Sequence, residues 1–542
     1  MQLTTRGSLG ANRQVKAAVM GLAVLAVIWE LAAWVVAGSD KNLLMFGLSL
    51  VVIALVVHIL NNWQSGVLLF LIWLLFEDLG RKYLGNSMTV YFAKDFLVGI
   101  AYVSFYFAKR RNEVEIFKVP FRVPLAIFFS LAFVEIFNSF SPNVMYGLLG
   151  LKLYFYYMPL MFLGFAMLDH PQDLDRLLKW SLIAGIVISA LGIAQSVMGV
   201  NFLTPDEMAP EIYELSHVVR YSPITHQAAF APSSVFVSAG RFSFYLIMIW
   251  ILAMGAQGYF LLSRKPGAKY GLWGIGVITI AVMISGTRTP FVFVGGSALV
   301  MTGAFLWGAP WRWGQGHRLV KALRRGFLIG GIGLILMVEV FPTAIGGSWA
   351  FISETLAPGS GEVSDVANRG WDYPVKNLNL AIGEGDVFTG HGTGMSSLGM
   401  QYVSRFLGEE FPYFGVESGF GALIVEMGIF GLILWLIWSS VLIRAGWKIT
   451  RELRGTVYFP LAFAIWWYII IALILSMYLT IAVYENFVNN AYLWLFVGVL
   501  FRLPKLAQMP QPVPIPKHLR GISGWQLASS GSEVAWQPRR GI

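Results

Sequence analysis

Apolar runs of roughly 15 to 22 residues recur along the chain, each closed by a short polar stretch. Lipid offers no partner to backbone N–H and C=O groups, so each run is predicted to be a helix that satisfies its own hydrogen bonds. About fourteen such helices are expected, near 17–37, 43–60, 65–77, 92–108, 123–139, 153–168, 180–198, 242–261, 270–286, 290–308, 326–343, 418–442, 457–480 and 488–502. The first has a basic lead (Arg6, Arg13, Lys16) and is too long for a signal-peptide core, so it is expected to stay as a membrane helix.

Charge orders these helices. Lys109, Arg110, Arg111, Lys118 and Arg122 form one basic cluster, and Arg264, Lys265 and Lys269 a second. Arg312, Arg318, Lys321, Arg324 and Arg325 form a third, and Arg444, Lys448, Arg451 and Arg454 a fourth. All four fall on the side of the basic N-terminus when the runs are threaded alternately, as the positive-inside rule requires. Both termini are therefore expected in the cytoplasm, with 1–16 and a Pro-rich tail, 503–542, flanking a membrane domain over 17–502. Two long outer loops follow, near 199–241 and 344–417.

Composition agrees with an all-α polytopic membrane protein. Of 542 residues, 57% are hydrophobic and 13% charged, too little polar surface for a soluble protein of this size. The 20 Trp, 21 Tyr and 40 Phe suit side chains at both membrane interfaces. A net charge of +10 would fit nucleic acid, but the basic residues lie between apolar runs and not on one soluble face, so no nucleic-acid partner is expected. With no cysteine, disulfides, thiol nucleophiles and Cys-ligated zinc are excluded.

Three segments carry candidate chemistry. Glu417-Ser418-Gly419 opens an apolar run that continues to Glu426-Met427-Gly428, where the second long loop enters a helix. Glu417 at that helix start is favoured by the helix dipole whether or not it does chemistry. Glu426 lies nearer the hydrocarbon, where a carboxylate requires a buried partner. Upstream stand Gly390-His391-Gly392-Thr393-Gly394 and Ser285-Gly286-Thr287-Arg288. The acidic pairs Glu77-Asp78 and Asp173-Leu174-Asp175 have metal-site spacing, but salt bridging at the first and a charged loop at the second are the simpler expectations.

In their order, with a long loop between them and many helices around them, these motifs resemble the bacterial O-antigen ligase and polysaccharide polymerase family over roughly 240–500. The resemblance implies a GT-C-like fold in a bacterial inner membrane. It implies inverting glycosyl transfer on the outer face, from an undecaprenyl-diphosphate-linked glycan to a sugar hydroxyl, with no nucleotide sugar, cofactor or metal. Other polysaccharide-assembly proteins, such as a chain-length regulator, would be partners. The family's helix entrance carries a His-Asn pair where Glu417-Ser418 stand here, which favours a polymerase over a ligase attaching finished glycan to lipid A core. Such a reaction needs a base for the acceptor proton and fixed cations for the leaving diphosphate. Glu417 is the first candidate base and His391 the second. Arg288, Arg241, Arg220 and Arg369 are the candidate diphosphate ligands, against the simpler reading of each as an interfacial arginine. A lipid-linked oligosaccharide flippase is the competing class. It would carry ionisable residues along a central cavity, and Glu30 and Glu339 are the clearest intramembrane acids.

Overall fold

The computed structural model describes residues 40–199, 201–205, 207–222, 224–265, 268–308, 313–356, 368–383, 387–397, 399–408, 414–509, 525–530 and 533–538. The expected helix 17–37, with Glu30, lies outside them. In chain order the helices are α1 (Asp40–Asn61), α2 (Trp63–Tyr83), α3 (Met88–Arg110), α4 (Arg122–Val134), α5 (Val144–Ala166), α6 (Pro171–Met198) and α7 (Pro210–Ser216). There follow α8 (Ala239–Leu262), α9 (Ala268–Met283), α10 (Arg288–Gly308), α11 (Trp313–Val340), α12 (Pro342–Leu356), α13 (Tyr373–Gly383) and α14 (Met400–Leu407). The last three are α15 (Gly419–Glu452), α16 (Phe459–Leu479) and α17 (Phe487–Gln508). Two antiparallel hairpins complete the description: β1 (Val219–Tyr221) with β2 (Ala228–Phe230), and β3 (Trp525–Ser530) with β4 (Glu533–Pro538) in the tail.

Among the described residues nine helices are long and apolar enough to cross a membrane: α2, α3, α5, α6, α8, α10, α15, α16 and α17. The chain is a polytopic membrane protein. Side-chain caps start several of these helices. Asn62 accepts from Ser65 N, Asn143 from Met145 N, Ser238 from Arg241 N, Ser418 from Gly421 N and Asn486 from Val488 N.

Several helices run past the limits set by hydropathy: the expected spans 65–77, 92–108, 180–198 and 418–442 become 63–83, 88–110, 171–198 and 419–452. The apolar pattern stops at Glu77, but α2 does not, because the charges at its end are paired inside the bundle, as are Lys94 and Asp95 within α3. A second difference is enclosure. About 89% of the apolar stretch is buried in both α8 and α17, against 39% in α3, α6 and α10, although all five are hydrophobic. Glycines let α17 lie against the second half of α5. A Cβ on Gly498 would come within 2.0 Å of the Met161 carbonyl, and one on Gly164 within 2.2 Å of that of Leu495.

The basic clusters meet at one end of the bundle. Lys265 pairs with Asp175 at 2.6 Å, Arg454 lies over the ring of Trp307, which stacks on Trp447, and Arg502 reaches Glu115 and Asp169 at 3.3 Å. Both long connections lie at the other end. Their described parts pack onto the bundle: Phe351 and Ile352 of α12 enclose Ala229 of β2, and Ser404 of α14 shares a hydrogen bond with the Tyr146 hydroxyl of α5.

Candidate functional site

Two of the sequence motifs are in direct contact. Gly428 breaks α15 (φ 65°, ψ −172°), a conformation open almost only to glycine. The break releases backbone groups that a continuous helix would pair, and the loop 387–392 takes them. Ile429 N donates to the Val387 carbonyl at 2.7 Å, His391 N to that of Val425 at 2.7 Å, and Gly392 N to that of Glu426 at 3.0 Å. The loop glycines permit the approach: a Cβ on Gly390 would sit 2.7 Å from the Glu426 carbonyl, and one on Gly394 2.1 Å from that of Tyr146. The Glu426 carboxylate is fully buried and accepts from the Tyr154 hydroxyl and Ser396 N, both at 3.0 Å. It has the buried partners the sequence required, supplied by neutral donors.

Beside this junction lies a buried ionic network. Asp78 of α2 accepts from Arg81 at 3.1 Å and from Arg241 of α8 at 2.7 Å. Lys94 of α3 pairs with Glu77 at 3.0 Å, and Lys152 of α5 with Asp95 at 2.5 Å. The Tyr157 hydroxyl donates to Asp95 at 2.8 Å. Lys82 donates to the Ser233 hydroxyl and the Ser234 carbonyl, both at 2.9 Å, and Gln195 holds that serine pair by accepting their backbone N–H groups. Phe487, at the start of α17, lies 4.4 Å from Lys94 Nζ and 5.0 Å from the Arg241 guanidinium. Among the described residues Glu77, Asp78 and Asp95 meet Arg81, Lys94, Lys152 and Arg241, while Lys82 turns to the serine pair.

The third motif extends the same end. Gly286 (φ 60°) turns the chain from α9 into α10 against the Phe230 carbonyl of β2. The Thr287 hydroxyl bonds those of Ser285 at 3.0 Å and Ser243 at 2.7 Å, which ties the start of α10 to the turn of α8 just after Arg241. Arg288 and Arg220 both address the ring of Phe351, at 5.2 and 5.9 Å from its centre. The β1–β2 turn is pinned by Glu354 of α12, which accepts from Ile224 N, Thr225 N and the Thr225 hydroxyl at 2.8, 3.0 and 2.5 Å. Those donors hold the Glu354 carboxyl well below its ordinary range, at about 2.

Arg220, Arg241 and Arg288 are thus gathered by linked contacts. The Arg369 side chain lies outside the described residues. Glu417 is exposed, and its neighbour Ser418 is the residue that caps α15. The Glu417 backbone is held from two sides: its N–H donates to Asn377 Oδ1 of α13 at 2.6 Å, and its carbonyl accepts from Ile481 N at 3.3 Å. His391 is partly buried between Phe140 and Phe414, ring centres 5.7 and 4.9 Å away, and its buried Nδ1 has no hydrogen-bond partner among the described residues. Phe414 stands three residues before Glu417, so both base candidates border one short segment.

Other candidates resolve into structure. His217 stacks on Tyr213, and His226 lies exposed in the β1–β2 turn. Asp173 accepts from His170 N at the start of α6, and Asp175 pairs with Lys265 and the Tyr259 hydroxyl. Glu77 and Asp78 do form salt bridges, but the close neighbour Lys82 turns to serines, and Lys94 and Arg241 come from other helices. Glu339 is exposed. The sequence reading missed Lys94, Asp95 and Lys152, although Lys94-Asp95 inside an apolar run was a visible signal. The Asp95–Lys152 pair closes one end of a mainly apolar groove of about 550 Å³, lined by Val56, Leu60, Phe92, Phe96, Val103 and Tyr156.

Compared with models of known families, with curated proteins and with solved structures, the chain matches none.

Proposed function

We propose that the protein is a polysaccharide polymerase of the inner membrane. It transfers a growing glycan from an undecaprenyl-diphosphate carrier to the terminal sugar of another lipid-linked repeat unit. The observation that carries this proposal is the approach of Arg220 and Arg288 to the one ring of Phe351, with the Thr287–Ser243 bond tying the start of α10 to the first turn of α8, where Arg241 stands. Arginine donor forks grouped at one end of the bundle suit a diphosphate at headgroup depth. The fold is proposed as GT-C-like with fourteen spans, the basic end in the cytoplasm and the arginine end outside. The groove at Asp95–Lys152 offers apolar wall for an isoprenoid chain.

In this proposal the acceptor oxygen attacks the anomeric carbon and the bond from that carbon to the diphosphate oxygen breaks with inversion. The acceptor proton passes to Glu417, and undecaprenyl diphosphate leaves with its charge held by Arg288 and Arg220. Arg241, shared with Asp78, positions this set. Asn377 and Ile481 hold the Glu417 backbone where the Ser418 cap starts α15.

Deletion of the gene tests the class of activity. Single lipid-linked repeat units accumulating outside support the polymerase, full-length lipid-linked chains indicate a ligase, and retention inside indicates a flippase. Arg288→Lys keeps charge but loses the two-pronged donor, so polymer formation is expected to fall at unchanged protein level. Normal polymer from a well-expressed Arg288→Ala variant overturns the assignment.

A further inference from the structure

At the basic end, far from the arginine cluster, α8, α9 and α11 enclose a cavity of about 310 Å³. Leu261, Leu262, Leu272 and Ala322 supply its apolar lining, and Arg264, Arg318, Lys321 and Arg325 its cations. No carboxylate lines it, and among the described residues none of these four cations makes an ion pair. Elsewhere at this end Lys265, Arg502 and Lys505 have acidic partners, and Arg454 and Arg110 lie over the rings of Trp307 and Tyr106.

Local structure brings the four cations to the cavity's lining. Arg318, Lys321, Ala322 and Arg325 recur at helical spacing on one face of α11, while Arg324 falls off that face and does not line the cavity. Arg264 ends α8 in the left-handed region (φ 52°), with Arg264 N donating to the Leu261 carbonyl and Lys265 N to that of Phe260. Glycine is the residue that suits this helix ending, and an arginine there costs on the order of 1 kcal/mol of strain. Its guanidinium instead completes the cavity wall. Deeper in, a small recess shares Leu261, Leu272 and Ala322 with the cavity and is bordered by Gln257. The Gln257 side chain is 2% exposed, its Nε2 donates to the Ala268 carbonyl, and its Oε1 has no partner.

We infer that this cavity binds the phosphate-bearing headgroup of an anionic phospholipid, the four cations holding the phosphate and the leucine wall receiving the first part of an acyl chain. A site half cationic and half aliphatic, between helices at headgroup depth, matches an amphiphile better than a free anion. The ordinary excess of Lys and Arg at cytoplasmic helix ends accounts for the charge. It does not account for the absence of acids in the lining, the strained Arg264 or the apolar wall.

The test uses the full chain purified in a zwitterionic detergent. Binding of phosphatidylglycerol, phosphatidylcholine and inorganic pyrophosphate is followed by the change in thermal unfolding temperature. Phosphatidylglycerol is expected to stabilise and phosphatidylcholine not, while pyrophosphate, which the arginine cluster at the other end can hold, should stabilise the Arg318→Gln/Lys321→Gln/Arg325→Gln variant as much as the unaltered protein. In Arg318→Gln/Lys321→Gln/Arg325→Gln the affinity for phosphatidylglycerol should fall about a hundredfold, roughly fivefold for each cation. Arg324→Gln, which removes an equal charge from the same helix, should leave it unchanged. Equal stabilisation by phosphatidylcholine, or an equal loss in Arg324→Gln, overturns the site. Stabilisation by pyrophosphate that the triple variant loses overturns the lipid as its source. Maleimide labelling of Leu272→Cys, free of background because the chain has no native cysteine, gives a readout that does not depend on the triple variant folding. Phosphatidylglycerol should slow the labelling in the otherwise unaltered protein, and failure to do so counts against the proposal.

Discussion

Gly428→Ala is expected to undock the loop 387–397 from α15. At φ 65° and ψ −172° the alanine carries strain of roughly 1–3 kcal/mol. Its Cβ would also stand 2.1 Å from the Phe388 carbonyl oxygen and 2.5 Å from its carbon, a clash with backbone that no side-chain rotation relieves. Straightening the helix removes both. It forfeits four bonds with the loop, donated by Ile429 N, His391 N, Gly392 N and Ser396 N, and recovers two helical ones, Ile429 N to Val425 O and Phe430 N to Glu426 O. The net loss of two hydrogen bonds, one of them to a carboxylate and together about 2–4 kcal/mol, is smaller than the strain and the backbone clash together, so the straight helix wins. Hydrogen exchange read by mass spectrometry should show His391 and Gly392 losing protection while α8 and α17 keep theirs. Gly303→Ala, on an exposed helical position with open space around its Cβ, is the matched control and should change nothing in the loop. Native protection of 387–397 in a folded Gly428→Ala protein would refute the account of the break.

Asp78→Asn leaves Arg81 and Arg241 without their shared buried carboxylate and should destabilise the protein by about 3–5 kcal/mol in a denaturant titration, while Asp78→Asn/Arg241→Gln should lose less than the sum of the single changes. The Glu354 carboxyl is depressed from its ordinary value to about 2, so its hold on the β1–β2 turn is complete above the unfolded value near 4.5 and is lost as pH falls through about 2. Exchange of the Thr225 amide should rise across that window, and Glu354→Gln should raise it already at neutral pH. Glu417→Gln should abolish polymer formation with the fold intact, because Ser418 keeps the cap; normal activity there together with its loss in His391→Ala would transfer the base role to His391.

The legibility of the candidate site varied residue by residue. Gly390, Gly394, Glu426 and Gly428 stood out in the sequence as two separate motifs, and their spacing of about thirty residues carried no sign that one threads into a break in the other. Arg241 was visible as a helix-start cation, yet its partner Asp78 lies over 150 residues away on α2. Lys94 and Asp95 lay inside the expected run 92–108, but their partners Glu77 and Lys152 come from other helices and could not be read from that run.

The pattern of apolar runs and basic clusters determined by itself that the chain crosses a membrane many times, and which helix ends share a side. Lipid compels helices, and charge in short connections is read one loop at a time, so both follow from local sequence. Only the tertiary structure decided where the helices end, which of them are enclosed, and which charges are buried. Each of those depends on a partner from a distant part of the chain. Glu77 continues a helix because Lys94 meets it, α8 and α17 are central because other helices surround them, and Gly428 breaks α15 because a glycine loop takes up the backbone groups it releases.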